Sequence, residues 1–441
     1  MRLTLRTAVA AAGATALVLS TIAGGAPALG APAAGMPPPA AAPAAPADLE
    51  SAVVARLLAK TVSGAPDTEQ RRPVVTVSRQ SGQWAFGTAV LAGRPGSEVY
   101  PYGWLFLAQR SAGGAGSPDA AGGAGSPDAA GGAGSPDAAG GAGSSDAAGG
   151  WRLGFEGEPA FAELAAVAPV TSPAEREIFA AQGGGQPGAE QAGGDYRTGM
   201  RLPFATGASW TMAGGPHGWA GSDLPYSSLD LAGGDQIVRA VRGGTAYTMC
   251  RGWLRVFHDR GYATDYYHLW NNINVNGAAV AEGTRLGDTG TDVTCGGSAN
   301  GRHVHFAIRQ NGVYVGAGGH NFGKWVPIAG AAPYQGYALH GSAIAYPGWA
   351  VYNYGALGFT QGVVDANGGT IVNKRSGPGT GYPVVGTVAD GATVSVSCSA
   401  NGTTHSGRWG ATSLWNRLTD GTWVTDAFMW TGLSGPVNGY C

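Results

Sequence analysis

The stretch His303-Val304-His305-Phe306 follows a glycine-containing turn and opens an apolar run that ends at Ile308. Successive side chains of an extended strand point to opposite faces, so His303 and His305 would share one face while Val304 and Phe306 face a core. Two imidazoles on one face of a rigid strand suit a divalent metal or proton transfer. The same short pattern also occurs as two ordinary structural histidines. The stretch therefore predicts a β scaffold and nominates a site on it.

The charge composition excludes nucleic-acid binding. The net charge is −2 and only 12% of the 441 residues are charged, so the chain lacks the basic field that nucleic-acid binding requires. The length allows two to four domains. The 78 glycines exceed ordinary usage, and they indicate low-complexity sequence together with the turns of an all-β protein.

The N-terminus predicts export. Arg2 and Arg6 precede an apolar stretch at 8–23, and small residues follow at 28–31, which together predict a signal peptide over residues 1–31. A membrane anchor is the alternative, but a Pro/Ala-rich linker follows at 32–47 and no later apolar run is long enough to cross a bilayer. We expect a secreted, extracellular protein with no membrane attachment after signal removal.

Export places the four cysteines in an oxidising compartment, where they are expected to pair. Four cysteines allow three connectivities. We favour Cys250–Cys295 and Cys398–Cys441, because each pair falls inside one proposed domain. No C-x-x-C spacing suggests a metal cluster.

Residues 48–181 are predicted to form a small α+β domain, followed by a linker at 182–194. Four copies of a nine-residue repeat occupy 113–148 and lack large apolar residues, which predicts a disordered insertion between two strands of a hairpin. The region contains no histidine. An accessory domain and a pro-region that covers an active site until it is removed both remain open. The predicted elements are a helix from Asp48 to Lys60, strands at Val74–Val77, Gln83–Leu91 and Gly103–Ala108, and a helix near Pro173–Ala181.

Residues 195–345 alternate short β-type runs with glycine turns, which predicts a mainly antiparallel β domain. Catalytic zinc sites use three protein ligands and keep one position open, and His217, Asp230 and His305 would supply such a set. Asp223 or Asp235 could replace Asp230. His303 and His268 then remain for general acid/base work.

The combination of motifs resembles one family. Pro216-His217 with Asp230 thirteen residues later, Tyr266-Tyr267-His268-Leu269 and Gly301-Arg302-His303-Val304-His305-Phe306 are similar to the motifs of lysostaphin-like zinc endopeptidases, within the beta-lytic and elastolytic branch. The resemblance covers about residues 195–345.

This resemblance implies a role for each motif residue. One Zn²⁺ would be held by His217, Asp230 and His305, His303 would activate a water molecule, and His268 would steady the tetrahedral intermediate. A late tyrosine assists that intermediate in this branch, and Tyr334 is the candidate. The branch is also disulfide-linked, which fits Cys250 and Cys295.

The last segment, 351–441, reads as short strands and turns. Its stretch from Asn373 to Gly386 resembles the V-R-S-G-P-G motif of bacterial SH3-like β-barrels, which often bind cell-wall peptides, although Lys374 stands where an apolar residue is usual. Its tryptophans could form a flat binding surface or fill the barrel core; they are Trp409, Trp415, Trp423 and Trp430.

We therefore expect a mainly β, monomeric, secreted zinc metalloendopeptidase that hydrolyses glycine-containing bonds in bacterial peptidoglycan peptides. Two other functions remain open: a non-catalytic wall-binding protein, and a similar protease acting on glycine-rich extracellular proteins. The metal-assisted hydrolysis follows from the residues, whereas the glycine preference and the wall substrate follow from the resemblance.

Overall fold

The computed structural model describes residues 47–60, 71–111, 150–182 and 194–441. The predicted signal peptide, most of the first linker, the repeats at 113–148 and most of the 182–194 linker lie outside the described residues. Ala41–Cys441 belong to one compact unit. Within the described ranges, no helix is long and apolar enough to span a membrane.

The N-terminal region is an antiparallel meander of four strands with three helices, as the α+β prediction expected. The first helix begins one residue before the predicted start at Asp48, whose Oδ1 accepts from the Leu49 amide at 3.0 Å. The two strands that flank the repeats pair with each other, Arg110 opposite Trp151, which confirms the predicted hairpin. One helix, α2, was not predicted. In chain order the elements are α1 (Ala47–Leu58), β1 (Arg72–Ser81), β2 (Trp84–Ala92), β3 (Tyr102–Arg110), β4 (Trp151–Phe155), α2 (Pro159–Val167) and α3 (Pro173–Gln182).

The central region is built around one large antiparallel sheet. Its strands follow the order β11-β8-β9-β10-β13-β6-β5-β18, with β14 paired to β13. β12 pairs with β7, and β15, β16 and β17 form a further small sheet. The strands are β5 (Ser209–His217), β6 (Ser228–Ala232), β7 (Ile237–Arg239), β8 (Gly244–Cys250), β9 (Trp253–Phe257), β10 (Tyr262–Tyr267), β11 (Asn276–Val280), β12 (Arg285–Asp288), β13 (Val304–Gln310), β14 (Val313–Tyr314), β15 (Val326–Ala329), β16 (Gly336–His340), β17 (Ala343–Ala345) and β18 (Ala350–Tyr352).

The end of the central region differs from the predicted boundary. Strand β18 pairs with β5, Val351 opposite Trp210, although residues from 351 onward were assigned to the C-terminal segment. The central sheet therefore continues through Tyr352. This strand could not be predicted, because a three-residue strand carries almost no periodicity.

The two faces of the large sheet pack against different partners. Val304 and Phe306 lie in a core beneath the sheet, as the alternation predicted. Ala307, Trp253 and Tyr267 lie on the opposite face and pack with apolar residues of the N-terminal region. That region therefore shares its core with the central sheet instead of closing around a core of its own.

The C-terminal region forms a seven-stranded antiparallel sheet in the order β21-β20-β24-β23-β22-β19-β25. The proposed tryptophan surface is wrong for three of the four residues, since Trp415, Trp423 and Trp430 are buried. The strands are β19 (Gln361–Val364), β20 (Ile371–Arg375), β21 (Val384–Ala389), β22 (Thr393–Gly407), β23 (Gly410–Leu418), β24 (Trp423–Thr425) and β25 (Met429–Trp430). A short 3-10 helix occupies Asp426–Phe428.

Both preferred disulfides are confirmed. Cys250 is bonded to Cys295, and Cys398 is bonded to Cys441. The first bond ties the end of β8 to the loop before β13, and the second ties β22 to the C-terminal residue.

Candidate metal centre

Three adjacent strands bring the predicted ligands together. His217 ends β5, Asp230 lies in β6, and His305 lies in β13 directly opposite Asp230. Because these strands are neighbours in the sheet, residues up to 88 positions apart in sequence meet on one face. A pairing between distant strands therefore creates the site.

The three ligand atoms have the spacing of a zinc site. His305 Nδ1 lies 3.1 Å from His217 Nε2 and 3.1 Å from Asp230 Oδ1, and His217 Nε2 lies 3.4 Å from Asp230 Oδ1. Tetrahedral zinc with bonds of about 2.0–2.1 Å separates its ligand atoms by about 3.3–3.4 Å. Two imidazole nitrogens and one carboxylate oxygen also form a donor set that catalytic zinc sites use. The residues present therefore fit the metal.

A backbone carbonyl and a ring orient His217. Its Nδ1 lies 2.7 Å from Gly215 O, and because a carbonyl only accepts, neutral His217 carries its proton there and keeps a lone pair on Nε2. The ring of Tyr334 stacks on His217 with 4.0 Å between centroids. On His305, the buried Nε2 atom has no hydrogen-bond partner among the described residues.

The other two histidines border the ligands and are held in the same way. His303 Nδ1 lies 2.9 Å from Gly301 O, and His268 Nδ1 lies 3.0 Å from Asp292 O. His303 Nε2 lies 3.7 Å from Asp230 Oδ1, and the His268 and His303 rings are 4.9 Å apart. His268 and Tyr334 both adopt positive φ, 68° and 65°, a left-handed conformation that is unfavourable for non-glycine residues.

Electrostatics keep Asp230 anionic and favour the charged form of His217, while His305 and His268 stay neutral. Burial opposes protonation of His217, but Asp230 outweighs it and raises the pKa of the ring. Burial opposes ionisation of Asp230, but His217 and His305 outweigh it and hold the pKa of the carboxyl well below its usual range. Burial lowers the pKa of His305 to about 4, with Asp230 opposing. Burial and then His303 lower the pKa of His268 to about 3. His305 and His268 therefore present lone pairs at neutral pH.

The structure resolves which aspartate joins the group. Asp223 accepts from the Ala220 amide at 2.8 Å, and Asp235 accepts from the Ile237 amide at 3.1 Å. Among the described residues that could hold a metal, the group found is His217, Asp230 and His305. Two other histidines assigned to structure, His258 and His320, contact backbone carbonyls.

Sequence reasoning missed Tyr100, which the N-terminal region contributes. Its ring lies 5.8 Å from that of His305 and 6.1 Å from that of His268, and its hydroxyl donates to Ser298 O at 2.9 Å. The side chain is 6% exposed. No motif surrounds Tyr100, so only the docking of the N-terminal region could reveal this contact.

Comparisons with known proteins fit this geometry, although no protein-family model matches the chain. Protease LasA of Pseudomonas aeruginosa is 36% identical over 148 residues, a match that covers 31% of this chain and 35% of LasA. Beta-lytic metalloendopeptidase of Lysobacter enzymogenes is 29% identical over 126 residues, covering 26% of this chain and 71% of that protein. The chain therefore spans about a third of the length of LasA.

Two further similarities cover most of the matched protein. YraI of Bacillus subtilis, named uncharacterized, is 34% identical over 99 residues, covering 21% of this chain and 83% of YraI. The solved structure of pseudoalterin, described as an M23 metalloprotease from the deep sea, is 31% identical with a TM-score of 0.33 and covers 35% of this chain and 97% of that one. The chain thus belongs to one family with YraI, and LasA and the beta-lytic metalloendopeptidase are homologues over 31% and 26% of its length.

Proposed function

We propose that this chain is a secreted zinc metalloendopeptidase that hydrolyses glycine-containing peptide bonds in bacterial peptidoglycan. The observation that carries the proposal is the convergence of His217 Nε2, Asp230 Oδ1 and His305 Nδ1 to within 3.1–3.4 Å of one another. The names of two homologues, a protease and a metalloendopeptidase, support the same reaction class.

In the proposed mechanism, His303 is the base. A bound zinc ion supplies a Lewis acid and lowers the pKa of a water molecule to about 7. The bond from His303 Nδ1 to Gly301 O keeps Nε2 unprotonated, so Nε2 accepts the proton of the attacking water and later delivers it to the leaving amine. Its position 3.7 Å from Asp230 Oδ1 puts this transfer beside the ligands.

His268 and Tyr334 would act on the developing negative charge. Neutral His268 carries its proton on Nδ1 toward Asp292 O, so Nε2 donates to an oxyanion only after it takes up a second proton. Burial raises the pKa of Tyr334, followed by the charges around it, so its hydroxyl stays protonated and can donate. Both roles stay predictions.

Steric crowding supports glycine at the scissile bond. The Trp219 ring lies 5.1 Å from that of His305, and Tyr334 stacks on His217. Rings this close leave little room for substrate side chains on either side of the ligands. Comparing hydrolysis of pentaglycine, purified cell walls and elastin tests the substrate; cleavage of elastin alone would favour a protease of glycine-rich extracellular proteins, and cleavage of none would favour a wall-binding protein.

The region 48–181 is proposed to be an inhibitory pro-region. Two hydrogen bonds fix its β2–β3 loop to the loop before β13, beside the site. Gly93 N donates to Cys295 O and Gly297 N donates to Val99 O, both at 2.8 Å. Tyr100 follows directly and lies against His268 and His305. We expect peptide hydrolysis to rise after proteolysis within 182–194; equal rates before and after the cut would remove the proposal.

The C-terminal region is proposed to be an SH3-like wall-binding domain. Support comes from its antiparallel sheet of mostly short strands and from a groove beside the Ser376-Gly377-Pro378 turn lined by Ile371, Arg375, His405, Trp415 and Phe428. Replacing Arg375 with Ala in the full chain should reduce co-sedimentation with cell walls while leaving hydrolysis of a soluble peptide unchanged. Unchanged sedimentation would place wall binding elsewhere.

A further inference from the structure

We propose that the face of the central sheet that carries the metal ligands also holds a carboxylate-binding site, formed by Arg255 and Arg309. Glu156 of the N-terminal region fills this site in the present structure. The ligand would be a substrate peptide bearing a carboxylate. This inference rests on the proposed function, because it requires the substrate to lie along the same face once the N-terminal region withdraws.

Strand alternation places the site. Arg309 follows His305 by four residues in β13, so both side chains leave the same face, about 13 Å apart along the strand. Arg255 in β9 and Asp265 in β10 are paired opposite each other on that face. The site therefore lies in line with the metal ligands.

Hydrogen-bond accounting shows why a second anion is needed. Asp265 is saturated by four donors: Trp253 Nε1 at 2.8 Å, Arg255 Nε at 2.9 Å, and Arg255 Nη2 and the Tyr314 hydroxyl at 3.0 Å. Arg255 Nη1 instead bonds to Glu156 Oε1 at 2.6 Å and Gly103 O at 3.0 Å, both from the N-terminal region. The central region supplies neither of these acceptors.

Arg309 shares the same carboxylate oxygen. Its Nη2 donates to Glu156 Oε1 at 2.7 Å and also contacts Gly312 O, while its buried Nε has no hydrogen-bond partner among the described residues. Without Glu156, two guanidinium groups would face the single carboxylate of Asp265. The site would then carry one uncompensated positive charge, which favours another carboxylate through charge-assisted hydrogen bonds.

Aromatic rings fix the two cations in place. Arg255 lies over the Trp253 ring at 5.4 Å and Arg309 lies over the Tyr314 ring at 4.7 Å. Both arginines are at least 97% buried, with exposures of 0% and 3%. Such a pair is pre-organised and would bind an anion with little loss of side-chain freedom.

Two neighbouring cavities mark the path that we propose for the peptide. A cavity of about 350 Å³ borders Glu156, Arg309 and Tyr314, and another of about 510 Å³ borders Tyr100 and Tyr334. The two cavities share Asp223 in their walls. An extended peptide advances about 3.3 Å per residue, so a chain on this path would bring a carboxylate to the arginines about four residues from the scissile bond.

A rescue experiment on the full chain tests the site without any activity assay. Replacing Glu156 with Ala should lower the Tm, and acetate should restore most of the loss while chloride at equal ionic strength should not. Acetate should leave the wild type unchanged. Glu158→Ala is the matched control, because Glu158 pairs with Arg56 and Lys60 of its own region and should show no specific rescue. If Glu156→Ala fails to fold, the acetate dependence of refolding yield gives the same readout. Absence of any specific acetate effect would overturn the site.

A peptide series on the Glu156→Ala chain, cut within 182–194 to relieve the proposed inhibition, tests the substrate assignment. Glycine peptides with a carboxylate four residues from the scissile bond should show at least about ten-fold higher kcat/KM than their amide counterparts, and Arg309→Met should abolish that preference. One set of peptides carries the carboxylate on a side chain, and the other set carries it at the C-terminus. Acetate rescue without hydrolysis of any peptide would support the carboxylate-binding site and refute the proposed peptidase function. Hydrolysis without a preference would refute the assignment to substrate.

Discussion

Two buried aspartates on the same sheet face have opposite surroundings. Asp265 receives four hydrogen bonds from a tryptophan, a tyrosine and a permanently charged arginine. Asp230 meets only histidines, of which His305 presents a lone pair at neutral pH. A carboxylate whose neighbours are all donors builds structure, whereas one facing neutral imidazoles leaves room for a cation. The difference teaches that donor type separates the two clusters, and burial differs in the same direction, since Asp265 is fully buried while the Asp230 side chain is 15% exposed.

The largest expected effect comes from breaking the Asp230 cluster. His305→Ala should lose zinc, and His303→Ala should keep about one zinc per chain, while both lower peptide hydrolysis by about 10³-fold or more. Metal analysis and a peptide assay measure the two effects, with His340→Ala as the control. If His303→Ala loses the metal and His305→Ala keeps it, the two roles have been exchanged.

Breaking the Asp265 cluster should act on stability. Arg255→Met leaves Asp265 buried without its cation and leaves Glu156 paired with Arg309 alone, which should cost about 3–5 kcal/mol of unfolding free energy. Lys374→Met is the control, because its pair with Asp420 is partly exposed and should be worth at most about 1 kcal/mol. Urea unfolding followed by circular dichroism measures both. Similar losses for the two variants would contradict the contrast drawn between the clusters.

The two disulfides should contribute similarly to stability, but only one of them should affect hydrolysis. Their sequence separations are 45 and 43 residues, so loss of either bond should lower the unfolding free energy by about 2–4 kcal/mol. Only loss of Cys250–Cys295 should alter hydrolysis, because Cys295 O accepts from Gly93 of the β2–β3 loop beside the site. The double serine variants, compared in unfolding and in a peptide assay, check this; altered hydrolysis in the Cys398/Cys441 variant would argue against it.

The smallest expected effect concerns Glu175, which joins the N-terminal region to the sheet. Burial opposes ionisation of this carboxyl, but Arg79 bonds outweigh it and hold the pKa below its usual 4.5; Tyr247 also donates to it. A lowered folded pKa means that its stabilisation is complete above pH 4.5 and is lost as pH falls through the folded value. Glu175→Gln should cost about 1.5 kcal/mol near pH 7.

The pH dependence of that variant provides its own control. The difference in unfolding free energy between wild type and Glu175→Gln should shrink as the pH falls below 4.5 and reach its minimum below the folded pKa, where both chains carry a neutral group at this position. Unfolding titrations at several pH values measure it. A difference that stays constant down to pH 2 would show that the Arg79 pair contributes no charge-dependent stability.

Several features of the fold and of the site could be predicted from particular residues of the sequence. The alternation from His303 to Ile308 predicted which side chains face the core, and the structure agrees, because a strand has a fixed period of two. The candidate ligands were predicted from their motifs, and His217, Asp230 and His305 lie together in the structure as expected. Helix α2 was missed, and β18 was placed in the wrong region, because short elements carry too little periodicity.

Residues outside any recognised motif could not be predicted to lie near the site. Tyr100 and Glu156 belong to a region in which no chemistry was recognised, and both insert onto the sheet face that carries the ligands. Asp265 also lies on this face, where it pairs with Arg255. Each of these contacts depends on how one region docks on another.

The sequence by itself determined the β scaffold, the ligand types and the cysteine pairs, because local periodicity and side-chain chemistry are written in neighbouring residues. Only the tertiary structure decided that the N-terminal region covers the ligand face and that a buried glutamate neutralises two arginines there. Docking energies arise from shape and charge summed over distant segments, and no short stretch of sequence contains that sum.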